Sequence, residues 1–243
     1  MNIALYGFGK MGKAIEQVAV ARGHAVALKV NAANAGTPPV GADMAIEFSK
    51  PDQALKNIAL CMEHQVPVVV GTTGWYDHLD EVKAMVMEYK GALLWASNFS
   101  LGVNLFFRVN KHLASLMDQQ SGYHVHIDEV HHMHKLDAPS GTAITLARDI
   151  DLKTQRYSGW MKAEPSSSDQ RTTSHEQRIP IASERTGEVP GKHSVTWTSA
   201  DDKITITHDA FGRTGFATGA VIAAEWLRCR TGVYTMDDVL GTA

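Results

Sequence analysis

Only two cysteines occur in 243 residues, Cys61 and Cys229. They lie far apart and form no CxxC pair, which leaves neither a disulfide framework nor a cysteine-rich metal site. No apolar run approaches the ~18 residues that mark a membrane-crossing helix. The opening stretch MNIALYG lacks the basic region and the apolar length of a secretory leader. Positive charge is not in excess either: 23 Lys and Arg against 26 Asp and Glu give a formal net charge of -3. A general nucleic-acid binder carries a basic stripe, so that class is disfavoured. These absences set the expectation of a reduced, cytoplasmic-type protein with neither membrane nor nucleic acid as partner. The 44% hydrophobic content suffices for one large domain or two modest ones.

What is present is an alternation of short apolar strands and helices. NIALYGFGKMGKAIEQVAVARG reads as strand, glycine turn and helix, followed by the strand HAVALKV. ADMAIEFS, VPVVVGTTG and GALLWASN continue the strands; PDQALKNIALCMEHQ and the span 76–89 continue the helices. Such alternation implies crossover connections and a mostly parallel sheet covered on both faces. After Asn98 the texture changes. LGVNLFFRVNKHLASLMD and GTAITLARDI read as helices, YHVHIDEVH as a strand, and HSVTWTS with KITITHDA as a hairpin turning at ADD. The segment 162–178 is polar and reads as an exposed loop. GFATGAVIAAEWLRCR closes the chain as a small-residue helix.

GFGKMG places Gly7, Gly9 and Gly12 in GxGxxG spacing between strand and helix. Glycines there permit a tight turn, close approach of backbone to a diphosphate, and close helix–strand packing. The free N–H groups and dipole at the helix start favour the anion. This context favours dinucleotide binding over a merely structural turn. An acid about twenty residues later would hold the ribose of NAD. Here the second strand ends at Lys29 and Asn31, so strict preference for NAD over NADP has no support. GTTG (71–74) and ASNFS (96–100) follow two further strands. Each could be an ordinary turn; together, at equivalent places in one sheet, they suggest a cofactor and substrate rim.

The stretch HHMHKLDAPSGT packs His131, His132, His134 and Lys135 into five positions. A metal site is one reading, since HVHIDE from His124 nearly matches HxHxDH. Glu129 replaces the last histidine, and the lysine would oppose a divalent ion. A solvated histidine-rich surface is the bland reading, but it explains neither the bunching nor DAPSGTA beyond it. Ser140 is a good helix N-cap, with Gly141 and Thr142 as first helical residues whose N–H groups lack intrahelical partners. That makes an anion site suited to a carboxylate, beside a lysine able to donate a proton. The stretch reads as acid–base chemistry on an acidic small molecule.

These residues resemble a known family. EVHHMHKLDAPSGTA, with GFGKMG, VVVGTTGW, ASNFSLGVN, GEVPGKH and FATGAVIAAEWL in order, is similar to the 4-hydroxy-tetrahydrodipicolinate (dihydrodipicolinate) reductases of lysine and diaminopimelate biosynthesis. The resemblance spans essentially the whole chain. It implies a Rossmann-type doubly wound parallel sheet formed by residues 1–99 and 213–243. An inserted α/β domain, 100–212, would bind substrate and build a homotetramer through an open mixed sheet. It also implies transfer of a hydride from NADPH or NADH to C4 of a cyclic dicarboxylate, loss of water, and a proton added at C3. Lys135 then resembles the proton donor and His131 its catalytic partner. His132 with Lys135, together with Ser140, Gly141, Thr142 and Thr73, resembles the substrate-binding set. Gly7, Phe8, Gly9, Lys10, Met11 and Gly12, then Gly71, Thr72 and Thr73, then Ala96, Ser97, Asn98 and Phe99 match cofactor loops, with Arg213 and Phe216 as further cofactor contacts and no metal. Asn31 stands at the ribose-binding position and departs from the acid or basic residue often found there. The alternatives are another Rossmann-type reductase, a non-catalytic NAD(P)-binding protein, or a metallohydrolase. A semialdehyde dehydrogenase would need a nucleophilic cysteine, and Cys61 inside a helix is a poor candidate.

Overall fold

A computed structural model describes residues 1–164, 177–212 and 214–241. Most of the polar segment 162–178, and Arg213, thus lie outside the described residues. The chain forms two compact units: Met1–Asn104 with Arg213–Ala243, and Leu105–Gly212.

The first unit carries six parallel strands: β1 (Asn2–Tyr6), β2 (Ala25–Val30), β3 (Met44–Glu47), β4 (Val68–Val70), β5 (Ala92–Trp95) and, after the second unit, β11 (Gly232–Tyr234). Their order across the sheet is β11-β5-β4-β3-β1-β2. The strands are short because both faces are covered and each needs only a run of Val, Ile, Leu or Ala. One face packs α1 (Lys10–Ala21) and α6 (Thr214–Leu227), placing Ile15 and Ala19 against Ala217, Ala220, Val221 and Ala224. The other face packs α2 (Pro51–Glu63) and α3 (Leu79–Glu88) through Ile58, Met62, Val82 and Val86. Small residues let α6 lie close: a Cβ on Gly219 would come within 1.6 Å of the Phe99 carbonyl oxygen. β1 pairs with both β2 and β3, so the winding reverses beside β1. The crevice outside the carboxyl ends at such a reversal is where open α/β sheets bind ligands.

The second unit contains α4 (Leu101–Met117, which begins in the first unit), β6 (His124–His131), α5 (Gly141–Lys153), β7 (Trp160–Ala163), β8 (Ile179–Arg185), β9 (Lys192–Thr198) and β10 (Lys203–Asp209). The five strands run in the order β10-β9-β6-β8-β7, antiparallel from β10 to β6 and parallel from β6 to β7. α4 and α5 cover one face, where Phe106, Ala114, Leu146 and Ile150 meet Val125, Ile127, Ile181, Val195 and Trp197. On the opposite face polar side chains pair across strands, as Ser194 with Thr207 and Thr196 with Thr205. A four-residue helix, α7 (Met236–Val239), follows β11. The span 76–89, expected as one helix, opens with a 3₁₀ turn, Tyr76–His78, before α3.

Candidate active site

In the first unit the glycine turn does what its spacing requires. Gly7 has φ +88°, and a Cβ on it would lie 2.0 Å from the Phe48 carbonyl oxygen, in the loop after β3. Gly12 is held as closely, its Cβ position being 2.7 Å from the Gly7 oxygen. Gly9, the N-cap of α1, supplies no side-chain cap and has open space around it. The first N–H groups of α1 therefore face a cradle that a Cβ would fill and that suits a diphosphate. Phe8, Lys10 and Met11 lie on this turn and the first turn of α1.

The other candidate cofactor residues also follow carboxyl ends of parallel strands. Gly71–Thr73 follow β4; Gly71 sits against the Phe48 ring, and the Thr72 carbonyl accepts from Trp75 Nε1 at 2.8 Å. Thr72 is buried and Thr73 exposed. After β5, Ala96 and Asn98 are partly buried and Ser97 is exposed, whereas Phe99 turns its ring into the core, 5.6 Å from Phe48. Asn31 caps a short 3₁₀ turn: its Oδ1 accepts from Ala33 N–H at 2.8 Å. Lys29 pairs with Glu16 at 2.5 Å and lies over the Phe8 ring. Phe216 is partly buried in the first turn of α6. Buried Glu47, at the end of β3, accepts from Ser49 N–H at 3.0 Å and Asn57 Nδ2 at 3.3 Å; burial pushes its carboxyl above the usual range.

In the second unit the alternation of β6 decides the site. Val125, Ile127, Glu129 and His131 point to the covered face. His124 and His126 point to the other, so they do not join His131. Register places Glu129 between Ser183 on β8 and His193 on β9, with His208 beyond on β10; one step along, His131 faces Arg185. Glu129 is the hub. It accepts from His131 Nδ1, from Arg185 Nη2 at 2.7 Å and from Ser140 N–H at 3.2 Å. Burial alone would raise its pKa, but the hydrogen bonds from His131 and Arg185 outweigh it and hold it at about 2. A turn closed by Lys135 N–H to His132 carbonyl then folds the chain back. It brings Lys135 Nζ to 2.8 Å from Asp137 Oδ1 and leaves His132 partly buried.

Ser140 caps α5, accepting from Ala143 N–H at 3.2 Å, while its Oγ also meets His193 Nε2 at 3.0 Å. Gly141 is exposed and Thr142 partly buried at the open helix end. Among the described residues, Glu129, His131 and His193 form the one trio of metal-ligating groups close enough to share an ion. Arg185 and Ser140 already occupy that carboxylate, and a cation would have to displace a guanidinium. Sequence reasoning gave no role to Arg185 or His193, and it met Glu129 as a mismatch to a metal motif and as the first residue of EVHHMHKLDAPSGTA, without a role of its own. The alternation of YHVHIDEVH, which puts Glu129 on the face of His131, was the signal available.

The fold is that of a two-unit α/β protein of the Rossmann type, whose second unit gathers His131, Arg185 and the Ser140 cap of α5 around Glu129. The family description "Dihydrodipicolinate reductase, N-terminus" matches residues 1–99, and "Dihydrodipicolinate reductase, C-terminus" matches residues 102–240. The chain is 46% identical over 242 residues to the 4-hydroxy-tetrahydrodipicolinate reductase of Christiangramia forsetii, covering 99% of this chain and 98% of that one. It is 35% identical to the enzyme of that name from Neisseria meningitidis, over 93% of this chain and 84% of the relative. A solved structure, dipicolinate-bound dihydrodipicolinate reductase from Paenisporosarcina sp. TG-14, shares the fold with a TM-score of 0.77 at 21% identity, covering 97% of each chain. The chain belongs to the dihydrodipicolinate reductase family.

Proposed function

We propose that this protein is an NAD(P)H-dependent oxidoreductase that reduces 4-hydroxy-tetrahydrodipicolinate to tetrahydrodipicolinate in lysine and diaminopimelate biosynthesis. One observation carries the reading: in a chain 46% identical to such a reductase, a single buried carboxylate binds both His131 and the cap of the α5 anion site. The Gly7–Gly12 turn with the α1 N-terminus would hold the dinucleotide diphosphate, and Asn31 would reach the ribose. Gly71–Thr73, Ala96–Phe99, Arg213 and Phe216 would complete the cofactor site. When bound, the dinucleotide supplies the hydride that goes to C4.

The chain's own residues do the rest. Gly141 and Thr142, at the helix end capped by Ser140, bind one carboxylate; His132 and Lys135 bind the remainder of the substrate. The C4 hydroxyl leaves as water with a hydrogen from C3, and Lys135 delivers a proton back to C3, with His131 as its partner. Support for Lys135 comes from its place in the turn between His131 and Ser140, where its Nζ pairs with Asp137 at 2.8 Å. Residues 1–99 with 213–243 serve as the dinucleotide-binding domain, and 100–212 as the substrate and oligomerisation domain. A homotetramer built on the polar face of the second sheet, working in the cytoplasm, completes the proposal; no metal, membrane or nucleic acid enters it. The test is an assay with freshly generated 4-hydroxy-tetrahydrodipicolinate, following NADH and NADPH separately. Oxidation of at least one, dependent on substrate, is expected; oxidation of neither would overturn the assignment.

A further inference from the structure

Glu129 is 1% exposed and both of its oxygens are engaged. Oε1 takes Arg185 Nη2 and Ser140 N–H; Oε2 takes His131 Nδ1. An ionised carboxylate only accepts, so every partner must bring the hydrogen. For a neutral imidazole this fixes the tautomer: hydrogen on Nδ1, lone pair on Nε2. On the Nε2 side the main chain comes close at Gly191, where a Cβ would lie 3.0 Å from Nε2. Two more groups flank the ring, Arg185 opposite on β8 and His193 on β9 with ring centroids 5.0 Å apart, and the turn after β6 carries the charged pair Lys135 and Asp137.

We propose that Glu129 is a positioning residue that holds His131 as the Nδ1–H tautomer, keeping Nε2 as an acceptor beside Gly191, while the same carboxylate anchors the cap of the anion-binding helix. This rests on the reading of His131 and of residues 140–142 given above. It explains why the two parts of the site share one ion: the helix end and the imidazole cannot shift independently.

Glu129→Gln separates the two duties. Arg185 and the Ser140 N–H, both obligate donors, lie on one oxygen, so the amide carbonyl belongs there. The NH₂ group then takes the Oε2 place. It donates, so Nδ1 of His131 must accept, and the hydrogen moves to Nε2. In a serine protease, amide-for-carboxylate replacement at the residue orienting the catalytic imidazole lowers kcat about 10⁴-fold with geometry intact, through the wrong tautomer. For E129Q the expectation is a fall in kcat of ~10²- to 10⁴-fold. Binding of pyridine-2,6-dicarboxylate and of NADPH should stay near wild type.

The experiment is long-range ¹H–¹⁵N NMR of ¹⁵N-histidine-labelled protein, beside steady-state kinetics and dicarboxylate titration. His131 should show Nδ1–H in the wild type and Nε2–H in E129Q. Glu129→Asp, which keeps an acceptor, should restore Nδ1–H and part of the turnover. An Nε2–H tautomer in the wild type overturns the inference, and that spectrum decides even where a variant does not fold. A loss of kcat in E129Q with Nδ1–H retained also overturns it. Failure of the wild type to bind the dicarboxylate sinks the site reading itself, and the inference with it.

Discussion

Ser140 Oγ lies 3.0 Å from His193 Nε2, so the cap of α5 is tied to β9 as well as to Glu129 on β6. His193 is buried, and desolvation, aided by repulsion from His131, brings its pKa down to about 3 against 6.5 for an ordinary imidazole. Between those values the unfolded chain carries the proton and the folded chain does not. The stability tied to this residue is thus fully present above pH 6.5 and is lost as pH falls towards 3. Glu129 acts in the same sense between 4.5 and about 2. Thermal unfolding followed at stepped pH should show the wild type losing stability as acid is added. His193→Gln, which cannot titrate, should lose less from pH 6.5 to about 4. Parallel curves would contradict the assignment.

Lys135→Ala should lower kcat by on the order of 10²- to 10⁴-fold, the usual span for removing a general acid. Cofactor affinity should hardly move, because Lys135 belongs to the second unit and the glycine turn to the first. Fluorescence titration with NADPH beside steady-state rates checks both halves. Near-normal turnover would remove Lys135 as proton donor.

Thr142→Val keeps the shape of the first turn of α5 and removes a hydroxyl. If that hydroxyl donates to a substrate carboxylate, pyridine-2,6-dicarboxylate should bind more weakly by about 1.5–3 kcal/mol. Calorimetric titration of both proteins measures it. Equal affinities would place the carboxylate elsewhere.

The doubly wound sheet was legible because its strands and helices keep clean periods, and the hairpin of β9 and β10 because its strands alternate. β8 was not, since Pro180 lacks an N–H and argues against an interior strand. With β8 went Arg185, 56 residues from Glu129 and joined to it only by register. β11 has three residues, too few to carry a period. Within the site, the bunching of His131, His132 and Lys135 and the Ser140 cap of α5 could be read from local spacing. The Glu129 hub could not, because its partners come from three separate elements.

Cofactor choice turns on Asn31 and Lys29. The Asn31 Oδ1 is already used by Ala33 N–H, and an aspartate would cap the same turn equally well. The Lys29–Glu16 pair is partly exposed and correspondingly weak, so the ammonium can be drawn to a 2′-phosphate. NADPH should therefore serve at least as well as NADH, and Asn31→Asp should penalise NADPH selectively without destabilising the fold. The measurement is kcat/KM for both cofactors in both proteins. A wild-type preference for NADH above roughly tenfold, about 1.4 kcal/mol, would refute dual use.

Phe48 presses on two glycines by different means, and this divides their evolutionary freedom. At Gly71 the obstruction is the Phe48 ring, 2.1 Å from a Cβ; at Gly7 it is the Phe48 backbone oxygen, 2.0 Å away. A ring can be exchanged for a smaller side chain, so lineages could trade Gly71 for alanine once Phe48 shrinks, and the two positions should drift as a pair. A carbonyl is common to every residue. No change at position 48 can release Gly7, which is thus fixed by the main chain itself.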